Sequence, residues 1–169
     1  MLALRFEDYQ IEIVKSTRII YNIRHFYRGE AIKKRIIAID YGEKRIGVAV
    51  SDPLGITAQP VGTLKSVGKR SDVEALRAIV EEKGAEGIVF GMPFRLDGSE
   101  GTLCGKIKKI GRSLEAATGL KVEYQDERFT SEEAADLLGE ASVRGKKKKA
   151  VIDTIAAQII LQRYLDSAK

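Results

Sequence analysis

Short β-branched runs follow one another closely in the stretch that begins at Arg35. Residues 35–40 form an almost continuous apolar run that ends in an acid, which predicts a central strand buried on both faces. Residues 46–50 form a second such run after a short turn, so the two strands must be antiparallel. Residues 56–64 predict a third strand, and Pro60 favours a position at the sheet edge.

The rest of the chain alternates between helical and strand patterns. Capping-box sequences at residues 71–74 (SDVE) and 130–133 (TSEE) predict two helix starts, and Gly84 and Gly119 predict two helix ends. The predicted elements after the third strand are a helix from Ser71 to Gly84, a strand over 87–91, a helix from Leu103 to Gly119, a strand over 122–125, a helix from Thr130 to Leu138 and a helix over 150–166. The order β-β-β-α-β-α-β-α-α predicts an α/β fold with a five-stranded mixed sheet and helices on both faces.

Residues 1–34 do not share this pattern, and we expect them to form an N-terminal extension of unknown role outside the domain of residues 35–169. No small-residue cleavage site follows a short apolar core, which excludes a secretory signal. Four acidic residues also argue against a transit peptide: Glu7, Asp8, Glu12 and Glu30. The segment is an appended piece that packs loosely, or sequence translated from an upstream start codon, or a basic arm that binds a polyanion.

Composition and charge narrow the class of protein. The chain has 169 residues and one cysteine, Cys104, so an internal disulfide is excluded and we expect a cytoplasmic protein. No apolar run approaches the roughly 20 residues of a membrane span. The net charge of +5 is unevenly placed, because residues 1–35 hold 8 basic and 4 acidic side chains whereas residues 36–169 hold 21 and 20. A single histidine, His25, excludes a histidine-centred metal site.

Acidic residues stand at the ends of predicted elements. Asp40 ends the first strand, Asp126 and Glu127 end the fifth, and Asp153 lies near the start of the last helix. In an open α/β sheet the loops at the carboxyl ends of strands converge, so these acids could meet at one sheet edge. Clustered carboxylates bind hard divalent cations, which support phosphodiester cleavage. Each acid also has an ordinary structural interpretation, as a turn residue, a favourable charge before a helix or a helix cap.

Four ordered motifs resemble the YqgF (RuvX) family, pre-16S ribosomal RNA nucleases related to Holliday-junction resolvases. They are residues 38–52 (AIDYGEKRIGVAVSD), 91–93 (GMP) with 97–100 (DGSE), 126–131 (DERFTS), and the lysine run followed by 153–157 (DTIAA). The resemblance covers about residues 35–169. It implies an RNase H-like fold and a Mg²⁺- or Mn²⁺-dependent endonuclease that matures the 5′ end of 16S rRNA. The implied catalytic acids and metal ligands are Asp40, Glu127 and Asp153, with Asp126 as the uncertain further ligand.

Basic residues near these acids are candidates for nucleic-acid binding. Five of six consecutive positions before the last helix are basic: Arg144, Lys146, Lys147, Lys148 and Lys149. We expect this basic segment, in a loop beside the carboxylates, to contact the phosphate backbone of RNA without sequence preference. Lys44, Arg45 and Arg128 could either position phosphate or pair with neighbouring acids.

Three other functions are compatible with parts of the sequence. A resolvase of DNA four-way junctions would act as a dimer with two symmetric sites, so the protein is either a monomer or a homodimer. A non-catalytic RNA-binding module would use the basic segment alone. Phosphotransfer from ATP would fit residues 39–42 (IDYG), which resemble the first phosphate loop of the actin and sugar-kinase superfamily, but it requires a second domain and a second glycine-rich motif.

Overall fold

The computed structural model describes residues 34–95, 97–127 and 145–167. The strands are β1 (Ile36–Tyr41), β2 (Arg45–Ser51), β3 (Ala58–Lys65), β4 (Gly87–Met92) and β5 (Val122–Asp126). The helices are α1 (Lys69–Lys83), α2 (Thr102–Thr118) and α3 (Gly145–Ser167). The expected extension, up to residue 33, and the helix predicted at residues 130–138 lie outside the described residues.

The five described strands form one mixed sheet in the order β3-β2-β1-β4-β5. β2 pairs antiparallel with both β1 and β3, whereas β4 pairs parallel with both β1 and β5. This arrangement confirms the predicted five-stranded mixed sheet. β3 lies at an edge of the described sheet, as Pro60 predicted, because an imide nitrogen cannot donate to a further strand.

The two faces of the sheet pack against different helices. Ile37, Ile39 and Phe90 point to one face and pack with apolar residues of α1 and α2, such as Leu76 and Ile107. The other face is built from smaller side chains and packs against α3. Its fully buried residues are Ala38, Ala49 and Val89 from the sheet and Ala157, Ile160 and Leu161 from the helix. The small side chains allow α3 to lie close to the central strands.

The capping box predicted at residues 71–74 is wrong. α1 begins at Lys69, two residues earlier, and its N-cap is Gly68 without a side-chain cap. Asp72 is buried instead, and it accepts hydrogen bonds from the Tyr41 hydroxyl (2.7 Å), the Ser66 hydroxyl (2.8 Å) and the Val67 amide (2.9 Å). This carboxylate therefore ties the end of β1 to the start of α1.

The last helix begins earlier than the sequence predicted. α3 starts at Gly145 rather than at residue 150, so residues 146–149 lie in a helix and the expectation of a loop is wrong. Lysine has a high helix propensity, which explains the extension through the run. None of the helices in the described ranges has the length and apolarity that crossing a bilayer requires.

Candidate active site

Asp40 lies on the central strand and on the face that packs against α3. Side chains of a strand alternate between faces, so Asp40 shares the face of Ala38, which lies under α3. Burial, and then the negative charge of Asp153, raise the pKa of Asp40 from 3.8 to about 7. The structure therefore places an acid from β1 and an acid from α3 within electrostatic reach of each other.

Glu127 directly follows β5 and faces the same region. Burial raises the pKa of Glu127 from 4.5 to about 8, with further contributions from the charges of Asp40 and Asp126. The three acids Asp40, Glu127 and Asp153, which are distant in sequence, are thus brought together on one side of the sheet. Such a group is unfavourable while each carboxylate is charged, since neighbouring like charges in a poorly solvated place repel each other.

The two adjacent acids after β5 point in different directions. Val122 belongs to the core on the α1–α2 face, and by alternation Tyr124 and Asp126 share that face. The Glu127 carboxylate instead lies beside Gly91, next to Ile160 of α3. Strand alternation assigns Glu127, rather than Asp126, to the face that carries Asp40.

Two glycines inside strands make room for these acids. A Cβ atom at Gly91 would overlap the Glu127 carboxylate, and one at Gly47 would overlap the main-chain carbonyl of Asp153. Gly47 is also the direct partner of Asp40 in the antiparallel β1–β2 pair. A glycine within a strand commonly marks such a close approach, and this was the sequence signal that could have identified both positions.

Asp153 forms an ion pair with Arg45. The Arg45 Nε donates a hydrogen bond to Asp153 Oδ2, and the two side chains are 33% and 20% exposed. Of the two roles that the sequence left open for Arg45, pairing with an acid is the one present in the structure. Asp153 therefore lies on the protein-facing side of α3, and its carboxylate is paired.

The remaining basic candidates are placed only in part. Lys44 is exposed in the turn between β1 and β2. Lys146, Lys147, Lys148 and Lys149 belong to the first turns of α3, on the same helix as Asp153. Arg128 and Arg144 lie outside the described residues. Cys104 is fully buried in the core, as expected of a small apolar residue.

The donor chemistry of the site suits a hard divalent cation, because carboxylate oxygens are the ligands that such ions prefer. Two of the acids also have pKa values raised by burial and by neighbouring negative charge, and a cation would relieve both effects. Within the described ranges, however, no three acidic, cysteine or histidine side chains are set so that they could hold one ion. In the structure the Asp153 carboxylate is engaged by Arg45 instead.

Comparison with known proteins identifies the family. The family model for RuvX, described as Holliday junction resolvase, matches residues 34–167. The chain belongs to the RuvX family. It is 46% identical over 133 residues to a "Putative pre-16S rRNA nuclease" of Syntrophus aciditrophicus strain SB, and the aligned region covers 79% of this chain and 89% of the relative. It is 48% identical over 132 residues to a protein of the same name from Clostridioides difficile strain 630, and the aligned region covers 78% of this chain and 94% of the relative.

A solved structure supports the fold of this RuvX protein. The fowlpox virus resolvase, crystallised with substrate Holliday junction DNA, superposes with a TM-score of 0.53 at 13% identity. The match covers 79% of this chain and 98% of the resolvase. The expected RNase H-like fold is confirmed, as is the resemblance to the RuvX family that the four motifs indicated.

Proposed function

We propose that this RuvX protein is a metal-dependent endonuclease that hydrolyses phosphodiester bonds in the precursor of 16S rRNA, at its 5′ end. The observation that carries the proposal is the gathering of Asp40, Glu127 and Asp153 on one face of the sheet. The names of the relatives from Syntrophus aciditrophicus and Clostridioides difficile support pre-16S rRNA as the substrate.

Asp40 and Glu127 would hold the cation, Mg²⁺ or Mn²⁺, and Asp153 would complete the catalytic set. Asp126 lies next to Glu127 and contributes negative charge without facing the same side. A bound divalent cation would supply charge stabilisation and a water of lowered pKa. The chain's own contribution is to keep the acids in place. Gly47 and Gly91, which lack side chains, leave room for Asp153 and Glu127 to lie against the sheet. The hydrophobic packing of α3 limits access of bulk water.

Affinity for RNA would come from basic residues of the chain. We propose that phosphates of the RNA are contacted by Lys44, Arg45, Arg128, Arg144 and the lysines of residues 146–149. Such contacts offset the repulsion between a carboxylate cluster and a polyanion, and they make binding depend strongly on salt. We further propose that residues 35–169 form the cytoplasmic nuclease domain and that residues 1–34 lie outside it, a division supported by the family match over residues 34–167.

A DNA four-way junction is the alternative substrate. The description of the matched family as Holliday junction resolvase favours it. A junction-resolving enzyme would need to present two sites to two strands, so this alternative predicts a homodimer, whereas cleavage of a single RNA strand requires only a monomer.

The deciding experiment compares wild type with Asp40→Asn on precursor 16S rRNA and on a DNA four-way junction. Each substrate is incubated with Mg²⁺, Mn²⁺ or EDTA, and Glu86→Gln, which removes an exposed carboxylate just before β4, serves as the control. We expect cation-dependent RNA cleavage by wild type and Glu86→Gln and loss of cleavage in Asp40→Asn. Equal cleavage by Asp40→Asn would refute the proposed site. Tight RNA binding without cleavage by wild type would favour a non-catalytic binding module.

A further inference from the structure

Asp153 lies close to two side chains of opposite charge on neighbouring strands, Arg45 on β2 and Asp40 on β1. Arg45 and Gly47 are two residues apart on β2, so they share one face and stand roughly 7 Å apart along the strand. The main-chain carbonyl of Asp153 rests on Gly47, and Asp40 is the direct partner of Gly47 on β1. Both Arg45 and Asp40 are therefore neighbours of the strand position on which the Asp153 main chain rests, Arg45 along β2 and Asp40 across on β1.

We propose that Arg45 is a positioning residue that competes with the divalent cation for Asp153. In the metal-free protein the guanidinium holds the Asp153 carboxylate, and cation binding requires this ion pair to open so that Asp153 can join Asp40 and Glu127. The inference rests on the proposed metal-dependent function. It accounts for the finding that, among the described residues, no three ligands are already set for one ion although three acids are gathered.

The structure allows this exchange without movement of the helix. The Asp153 main chain is fixed by its close packing on Gly47, and the following turn of α3 is fully buried at Ala157 and Ile160. Rotation of the Asp153 side chain is then the simplest change that can transfer its carboxylate from Arg45 toward Asp40. The pair is also partly solvated, at 33% and 20% exposure, so opening it does not require a fully buried charge to lose its partner.

A purely structural ion pair would make a different prediction. If Arg45 only anchored α3, its removal would loosen Asp153 and weaken cation binding. If Arg45 competes with the cation, its removal frees Asp153 and strengthens cation binding. The sign of the change in cation affinity, together with its dependence on the Asp153 carboxylate, therefore separates the two roles.

The test measures Mn²⁺ binding by isothermal titration calorimetry in the absence of nucleic acid. Arg45→Gln is compared with wild type and with Arg77→Gln, which removes a surface ion pair to Glu81 on α1. We expect Arg45→Gln to bind Mn²⁺ about three- to tenfold more tightly than wild type, as befits a partly exposed pair, and Arg77→Gln to bind as wild type does. The gain should disappear in Arg45→Gln combined with Asp153→Asn.

A second measurement uses the wild type, so it does not depend on the folding of a variant. Titration with Mg²⁺ should shift the ¹⁵N–¹H resonance of Arg45 Nε and speed its exchange with water as the hydrogen bond to Asp153 opens. An unaltered Arg45 resonance at saturating Mg²⁺, or equal or weaker Mn²⁺ binding by Arg45→Gln, would overturn the competition while leaving the nuclease proposal intact. Absence of any cation binding by wild type would overturn both.

Discussion

Asp40→Asn should make the metal-free protein more stable at alkaline pH while it removes a proposed ligand. The pKa of Asp40 is 3.8 in the unfolded chain and about 7 in the folded protein, because burial and the charge of Asp153 disfavour its ionised form. A carboxyl whose pKa rises on folding binds its proton more tightly in the folded state. Stability is therefore lost as the pH rises through the interval from about 4 to 7, and asparagine, which carries no charge, avoids that loss.

The size of the effect follows from the same two pKa values. A difference of about three units corresponds to at most about 4 kcal/mol of folding free energy above pH 7. Relaxation of Glu127 and Asp153 around the charged Asp40 reduces this figure, so we expect a gain of at least about 1 kcal/mol. For a chain of this length, that is a rise of about 3 °C in the melting temperature.

Thermal melts of wild type, Asp40→Asn and Glu86→Gln at pH 5 and pH 8, all with EDTA, test this expectation. At pH 5 the folded wild type carries a protonated Asp40 while its unfolded chain is already ionised, so wild type should melt below Asp40→Asn by a smaller margin than at pH 8. At pH 8 Asp40→Asn should melt higher, and Glu86→Gln should follow wild type at both pH values. Identical melting temperatures for wild type and Asp40→Asn at pH 8, or the same difference at both pH values, would refute the reasoning.

Three further predictions concern packing, a buried carboxylate and the basic segment. Gly47→Ala should lower the free energy of unfolding in urea by about 1–3 kcal/mol, because its methyl group overlaps the Asp153 carbonyl, whereas Gly105→Ala on α2 has open space and should not destabilise. Asp72→Ala should lower the same free energy by about 2–4 kcal/mol, because the Tyr41 hydroxyl and the Val67 amide lose their acceptor; a loss no larger than that of the exposed Asp97→Ala would contradict this. Replacing residues 146–149 with glutamine should weaken RNA binding, and fluorescence anisotropy across a salt series should show a shallower slope; an unchanged slope would exclude these lysines from phosphate contact.

Much of the fold could be predicted because its signals are local. The β-branched runs of β1 and β2 and the short turn between them require an antiparallel pair, and the glycines after α1 and α2 stand where those helices end. The start of α1 was wrong for a physical reason. Asp72 resembles part of a capping box, but its carboxylate is bound by Tyr41 on β1, a contact 31 residues away in sequence.

The approach of the three acids to one another could be predicted from the sequence, but the ion pair of Asp153 could not. Asp40 and Glu127 stand at the ends of strands, as predicted, whereas Asp153 lies more than two turns inside α3 because that helix begins at Gly145 rather than at residue 150. Arg45 and Asp153 are 108 residues apart, and no local pattern specifies which acid an arginine will meet across a helix–sheet interface. The choice between Asp126 and Glu127 required knowing which face of β5 packs against α1 and α2. The structure shows that Val122 is on that face. Because side chains alternate along a strand, Asp126 then shares the face of Val122 and Glu127 points to the opposite face.

The docking of α3 on Gly47 also determines when the three acids come together during synthesis of the protein. The five strands that the structure describes all precede α3 in the chain, so this sheet, with Asp40 and Glu127, is synthesised before the helix that carries Asp153. A nascent chain that has not yet released α3 from the ribosome holds an incomplete set of acids. If the proposed cleavage needs all three acids, activity begins only after the last helix has been released and has docked on the sheet.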